Sequence, residues 1–440
     1  MSPSSSRSKE HKNFLKIKET FNKIPFNKIG KRSGFCIRKS PKLKPKLFVL
    51  SFLNMISTGK NSYPKWAQQF GTMTGKTVSK QGIWKRVNAR FVIFLYLLIT
   101  YSFQKKICIS TIEKKDLKFK KIHIQDSTTL RLPEWLSWCY PGTVSHGRIT
   151  SQLKIQTIYD INNSNFEFFG LTPFTQNDQS RTADINSIAQ SNELVLRDLG
   201  YFSIESFKTL DNNGIYFISK LKYGLTLYDL DTGVQINLIK KLSRYNHIDQ
   251  WVYLGSDKKI KVRIVAIKLH PEHATARKQK AKNDRDRRLN HNKNYYKLLE
   301  YNIYITNILQ SDCTALDIMR HYQLRWRIET IFKCWKSNNY LQQLIPSDVS
   351  LSKERVEASI LLSLFSILLF SHRVFQLVEK VWNNFELGAI SIQKLTSFIN
   401  DNFKFIFHSR NEHEILTFIQ YYCCYDIRSD RRNFVQKLSP

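Results

Sequence analysis

Acidic residues are scarce in this sequence. Across 440 residues it carries 35 Asp and Glu against 69 Lys and Arg, a formal net charge of +34. That excess goes far beyond what solubility needs. It implies a polyanionic partner, because so many cations are suited to neutralising phosphates and releasing their counterions. An AT-rich coding sequence would inflate Lys, and the many Asn, Ile and Lys residues fit that in part, but such a bias does not by itself remove carboxylates. Paired cysteines are missing as well. The seven Cys are scattered, with no C-x-x-C, which speaks against a structural zinc site and for a reducing compartment. Long apolar runs are also lacking. Residues 91–99, extending loosely to 103, and residues 360–370 fall short of the roughly 20 residues that a membrane span requires. Charges bound both runs, so buried helices are expected and membrane insertion is not. The polar, basic amino terminus has no early apolar core of the kind a secretory signal needs. A hydrophobic content of 42% over this length excludes fibrous and low-complexity classes and leaves a globular protein.

Residues 1–47 are rich in Lys and Arg and include Pro25, Pro41 and Pro45. They read as a solvated arm able to contact phosphates. From residue 48 to about 103 the pattern is helical. Here Ser79 can cap a helix in which Ile83, Trp84 and Val87 are interleaved with Lys80, Lys85 and Arg86. The segment suits the recognition helix of a helix-turn-helix, and it suits an ordinary amphipathic core helix about equally.

In the middle of the chain the period changes. Residues 121–126 alternate as a strand that ends on Asp126 and is left over 127–130, and residues 151–160 and 165–171 read as further strands. Residues 193–198 form an apolar strand ending on Asp198, followed by a turn, a helix over 203–210 and a strand over 214–219. Two acids thus close two candidate buried strands, where open sheets place their chemistry. Residues 222–309 read mostly as strands, at 225–230, 234–239, 251–254, 261–269 and 302–308. A basic block interrupts them: Arg277, Lys278, Lys280, Lys282, Arg285, Arg287 and Arg288. It is either a solvated helix face or an arm over a DNA backbone.

Treated as one helix at about 100° per residue, residues 322–336 put Tyr322, Arg325, Glu329 and Lys336 on one face. Leu324, Ile328, Ile331, Phe332 and Trp335 form the adjoining apolar stripe. On pattern alone, an amphipathic helix with an Arg325–Glu329 salt bridge fits as well.

The spacing Y-x-x-R-x-x-x-E-x-x-x-x-x-x-K is complete in those four residues. With Gln125-Asp126-Ser127-Thr128, Arg197-Asp198-Leu199-Gly200-Tyr201-Phe202 and Thr306-Asn307, the chain resembles the insertion-sequence DDE transposases of the Y-R-E-K signature group, the IS-four type. The resemblance covers residues 121–339 well and 78–95 more loosely. It implies an α/β fold with an RNase H-like catalytic core in two parts, 116–221 and 310–380, interrupted by a β-rich insertion over 222–309. A helical DNA-binding region, 48–115, would precede the core, and residues 381–440 would form a helical region without an assigned role. The resemblance further implies that Asp126, Asp198 and Glu329 are the catalytic triad and the ligands of two Mg2+ ions, with Mn2+ able to substitute. Carboxylate oxygens suit such hard cations, and paired ions can activate a nucleophile and stabilise a leaving oxygen. Tyr322, Arg325 and Lys336 would hold DNA near the cut, with Lys80, Lys85, Arg86, Arg285, Arg287 and Arg288 as further DNA-binding groups. The implied partners are double-stranded DNA, both transposon ends and target, and a second copy of the chain in a synaptic dimer, all in a bacterial cytoplasm at the nucleoid. Some relatives place a base-stacking Trp four residues before the Thr matching Thr306. This sequence has Asn302 there, flanked by Tyr301 and Tyr304. Two other readings compete: a noncatalytic DNA-binding regulator, which leaves the three acids unexplained, and a nuclease of the same fold without strand transfer.

Overall fold

Strand β1 (Ile122–Leu132) buries Ile122, Ile124, Leu130 and Leu132, and also the polar His123 and Gln125, as a strand covered on both faces must. It does not end at Asp126. Ser127, Thr128 and Thr129 go on pairing with Gln156, Ile155 and Lys154, and β-branched Thr is at home on a pleated surface. The computed structural model describes residues 21–37, 43–56, 62–104, 118–163, 165–245, 247–257, 259–283, 292–346, 351–372, 390–402, 405–406 and 412–424.

Among these, β2 (Pro141–Ser145), β3 (Arg148–Asp160), β4 (Asn165–Pro173), β5 (Leu194–Arg197) and β6 (Tyr216–Lys220) gather around β1. They are joined by β7 (Leu227–Asp229), β8 (His247–Leu254), β9 (Ile260–Lys268) and β10 (Tyr301–Thr306). One ten-stranded sheet results, in the order β2-β3-β1-β5-β6-β10-β9-β8-β7, with β4 also on β3. Only the β1/β5 and β5/β6 pairs are parallel, so the fold is mixed α/β around a large, mostly antiparallel sheet. The segment between β6 and β10 continues that sheet, since β10 pairs with both β6 and β9. The strand expected over 234–239 does not form. Instead Asn237 accepts a hydrogen bond from the Lys240 amide and starts the helix Leu238–Arg244, leaving only a Tyr228–Gln235 bridge.

The helices Phe26–Arg32, Pro45–Ile56, Tyr63–Thr74 and Ala89–Gln104 share a core with Lys353–Ser366. Phe48 lies at the centre of an aromatic cluster with Trp66, Phe70 and Phe91. The basic arm departs from expectation between residues 21 and 37: Phe21, Ile24, Phe26 and Ile29 are buried, and their apolar surface folds a segment whose charge alone would keep it solvated. The two apolar runs fall in Ala89–Gln104 and at Lys353–Ser366 with the turns after it, packed together. Among the described residues no helix is long and apolar enough to cross a membrane.

Candidate active site

The parallel pairing of β1 with β5 runs through Gln125 opposite Arg197, so Asp126 and Asp198 each follow one member of the same register pair. Asp198 stands just past β5 with an extended backbone, at the head of the turn Leu199–Tyr201. Glu329 lies in the first turn of the helix Trp326–Ser337, which packs on β1. Three elements therefore deliver three acids to one place. What joins them is Arg325, whose guanidinium is 3.1 Å from Asp126 Oδ2, 3.8 Å from Asp198 Oδ1 and 2.6 Å from Glu329 Oε1.

The stretch around Arg325 is not one helix. It breaks after the helix Ala315–Gln323, and the joint is tightened by bonds between residues three apart: Leu324 to His321, Arg325 to Tyr322 and Ile328 to Arg325. This turns Tyr322 inward. Its ring is buried, its hydroxyl donates to the Arg197 carbonyl at 3.2 Å, and Arg325 lies 5.8 Å from the ring centroid. Tyr322, Arg325 and Glu329 thus stay side by side, but across a joint between two helices and not on one continuous helix. Lys336, half-buried on the Trp326–Ser337 helix, has its pKa lowered by burial.

Burial pushes the Asp126 carboxyl up to about 7; Arg325 and the Ser127 amide oppose the shift, and Asp198 and Glu329 add to it. Arg325 is pulled down by burial and raised more strongly by Tyr322 and the three carboxylates, so it stays charged. One cation thus faces three acids. As the side chains lie, no group of three or more His, Cys, Asp or Glu among the described residues is arranged to hold a metal ion. The donor set nonetheless fits a hard divalent cation: oxygen atoms only, with more anionic charge than the single guanidinium neutralises.

Lys220, which the sequence did not single out, closes β6 beside this centre. The β5/β6 register pairs Arg197 with Ser219, which brings Lys220 level with Asp198, and its ammonium is 5.8 Å from the Tyr322 ring centroid. Burial lowers its pKa, and Arg277 and Arg325 lower it further. The parallel register is the signal that could have found it. A cavity of about 720 Å³ has Leu199, Lys220, Tyr223, Arg277 and Tyr295 in its walls; of these, Leu199 follows Asp198 in the chain. Asn302 accepts from Arg277 at 2.7 Å; Tyr301 donates to the Leu242 carbonyl, and Tyr304 packs on Tyr322.

The N-terminal cations lie apart from these acids in sequence and on other elements. Ser79 caps a short helix, Lys80–Trp84, by accepting from the Gly82 amide. Lys80 and Lys85 are exposed, whereas Arg86 folds back onto the Gly82 carbonyl at 2.6 Å. Ile83 and Val87 are buried, and Arg355 stacks over Trp84 at 3.9 Å. In the basic block, Lys278 pairs with Glu300 at 2.5 Å, and Lys280 and Lys282 are exposed. Arg285, Arg287 and Arg288 lie outside the described residues.

Comparison with known proteins decides the family. Residues 117–364 match the family described as transposase DDE domain. The chain belongs to that family. It is accordingly a transposase, a polynucleotidyl transferase acting in DNA transposition, and the family generally uses divalent metal ions. Among curated relatives, the transposase for insertion sequence element IS231D of Bacillus thuringiensis subsp. finitimus is 27% identical over 87% of this chain and 84% of its own length. The transposase for insertion sequence element IS1151 of Clostridium perfringens is 28% identical over 73% of this chain and 72% of its own. A piggyBac transposase synaptic complex with hairpin DNA aligns over 94% of this chain and 84% of that one at 10% identity and a TM-score of 0.41, too slight a likeness to inform the fold.

Proposed function

We propose that the chain binds the ends of an insertion sequence and cuts and rejoins DNA at a divalent-metal centre held by Asp126, Asp198 and Glu329. The observation that carries this reading is the convergence of all three acids on the Arg325 guanidinium from β1, the end of β5 and a separate helix. An RNase H-like core is supported by the strand order β4-β3-β1-β5-β6, antiparallel on one side of β1 and parallel on the other.

When bound, two Mg2+ ions, or Mn2+ in their place, would supply a nucleophile made anionic and a stabilised leaving oxygen. The protein's own part is to hold oxygen ligands in place and to shed a proton from Asp126, whose raised pKa keeps that carboxyl partly protonated near neutrality. Arg325 then serves two purposes in turn. In the metal-free protein it offsets repulsion among the acids, and when not engaged by them it would hold a phosphate at the cut, with Lys336 on the helix that follows it as a second phosphate ligand. In the Y-R-E-K reading Tyr322 contacts the transferred end, which requires its hydroxyl to leave the Arg197 carbonyl. Lys80 and Lys85, with Arg86 and the block that includes Arg285, Arg287 and Arg288, bind the DNA backbone and so fix the register of DNA on the protein. A homodimer that brings two ends together, working at the bacterial nucleoid, completes the reading. Its test is a joining assay with Asp198→Ala and Glu329→Ala: both lose cleavage and joined product while still binding end DNA, and wild-type cleavage by either sinks the proposal.

A further inference from the structure

Arg197 is fully buried, at 0% exposure, and its partners are neutral. Nε donates to Gln125 Oε1 at 2.9 Å, Nη1 to Ser206 Oγ at 2.6 Å and Nη2 to the Thr182 carbonyl at 2.7 Å. Among the described residues no carboxylate pairs with it. Arg263, equally buried, shows the contrast, since Asp249 meets it through both carboxylate oxygens. Burial draws the Arg197 pKa down to about 9, which leaves it charged at neutral pH. A buried cation without a counter-ion is costly, and an apolar pair of similar volume is commonly as stable or more so.

The location gives that cost a purpose. Gln125 immediately precedes Asp126, Arg197 immediately precedes Asp198, and the two stand opposite each other in the β1/β5 register. Side chains alternate along a strand, so the Gln125–Arg197 link lies on the face of the sheet opposite to the Asp126 side chain. Three elements are tied to the same pair. Gln125 Nε2 donates to the Arg181 carbonyl at 2.7 Å, Ser206 belongs to the helix Ile204–Asn212, and the Arg197 carbonyl accepts the Tyr322 hydroxyl. The planar guanidinium fork fixes three directions at once, which neither Lys nor an apolar side chain can do.

We propose that Arg197 is a positioning residue, fixing the spacing of Asp126 and Asp198 through the Gln125 side chain so that both carboxylates can share one divalent cation. The proposal rests on the triad reading. Asp198 needs such support because its side chain is 45% exposed and it stands on a turn, beyond the last residue of its strand.

The test is Mn2+ titration of the full-length protein without DNA, with free Mn2+ followed by electron paramagnetic resonance and unfolding followed by heat. Arg197→Met should unfold cooperatively close to wild type yet need roughly 10- to 100-fold more Mn2+ for half-saturation, the usual cost of losing a group that orients metal ligands. Arg197→Lys should recover part of that loss. If Arg197→Met does not fold, Gln125→Leu, which leaves the bonds to Ser206 and Thr182 in place, should show the same rise. Wild-type Mn2+ affinity in whichever of these variants folds overturns the proposal. Asp126→Ala separates the two ideas: should it too bind Mn2+ as wild type does, the triad reading falls and this inference with it, whereas loss of binding there alone leaves the triad standing.

Discussion

Arg325 donates to Asp126 at 3.1 Å across the boundary between a helix and the sheet, joining residues 199 positions apart in the chain. The same guanidinium reaches Glu329, in the first turn of the helix that Arg325 precedes, at 2.6 Å. An Arg325–Glu329 pair of this spacing is common on helix surfaces and contributes little. Burial and the second partner change that, because the cation here is what allows an inward-facing Asp to remain beside two other acids.

Replacing Arg325 by Ala should therefore lower stability by roughly 2–3 kcal/mol, less than for a fully buried ion pair because Asp198 and Glu329 keep solvent access. Urea unfolding in metal-free buffer measures it. Added Mn2+ should restore more stability to this variant than it adds to wild type, and an unchanged midpoint in metal-free buffer would contradict the assigned role.

Exposed Lys80 and Lys85 can be tested without disturbing the core, unlike a deletion of the N-terminal helices, which would strip the partners of the helix Lys353–Ser366. The double Ala variant should keep its melting temperature and bind DNA more weakly. Its plot of log affinity against log salt should flatten by about 0.9 for each phosphate that the variant no longer neutralises. An unaltered slope would remove both residues from the interface.

His123, three residues before Asp126, is fully buried between Glu167 at 3.0 Å and Glu193 at 2.7 Å. Burial disfavours the imidazolium, but the two carboxylates outweigh it and raise the pKa from 6.5 to about 9. The folded state thus binds this proton more tightly than the unfolded one. The stability it contributes is complete below pH 6.5 and is lost as pH rises through about 9. Wild type should lose more stability across that window than His123→Gln does, as read from urea midpoints; parallel losses would contradict the assignment.

Phe48 is packed at the centre of the N-terminal aromatic cluster, against Trp66, Phe70 and Phe91. Phe48→Ala should cost about 3–5 kcal/mol, because the rings around it cannot collapse into the space left. A shift under about 1 kcal/mol, closer to the cost of a typical surface change, would mean that this region is loosely packed.

Local pattern made much of this legible. The strand that carries Asp126 and the one that leads into Asp198 follow from alternation and apolar runs, and the spacing of Arg325 and Glu329 follows from helical periodicity. What the sequence hid depends on long-range pairing or on small side chains. Nothing local says that β1 runs on to Leu132, because that depends on its partner β3. The break before Arg325 replaces ordinary helical bonds with tighter ones, and no Gly or Pro marks it. Asn237 reads as one polar residue in an alternating segment until its side chain caps a helix. Lys220 and the Gln125–Arg197 link become visible only once the parallel register is known.

The central claim is that Asp126 belongs to a divalent-metal centre, and Asp126→Cys tests it most directly. The substitution exchanges a hard oxygen for a soft sulfur, which Mg2+ binds poorly and Mn2+ tolerates better. Strand cleavage measured on end DNA should vanish in Mg2+ and return in part in Mn2+, with DNA binding nearly unchanged. Full cleavage in Mg2+ by this variant, or by Asp126→Ala beside it, would contradict the account.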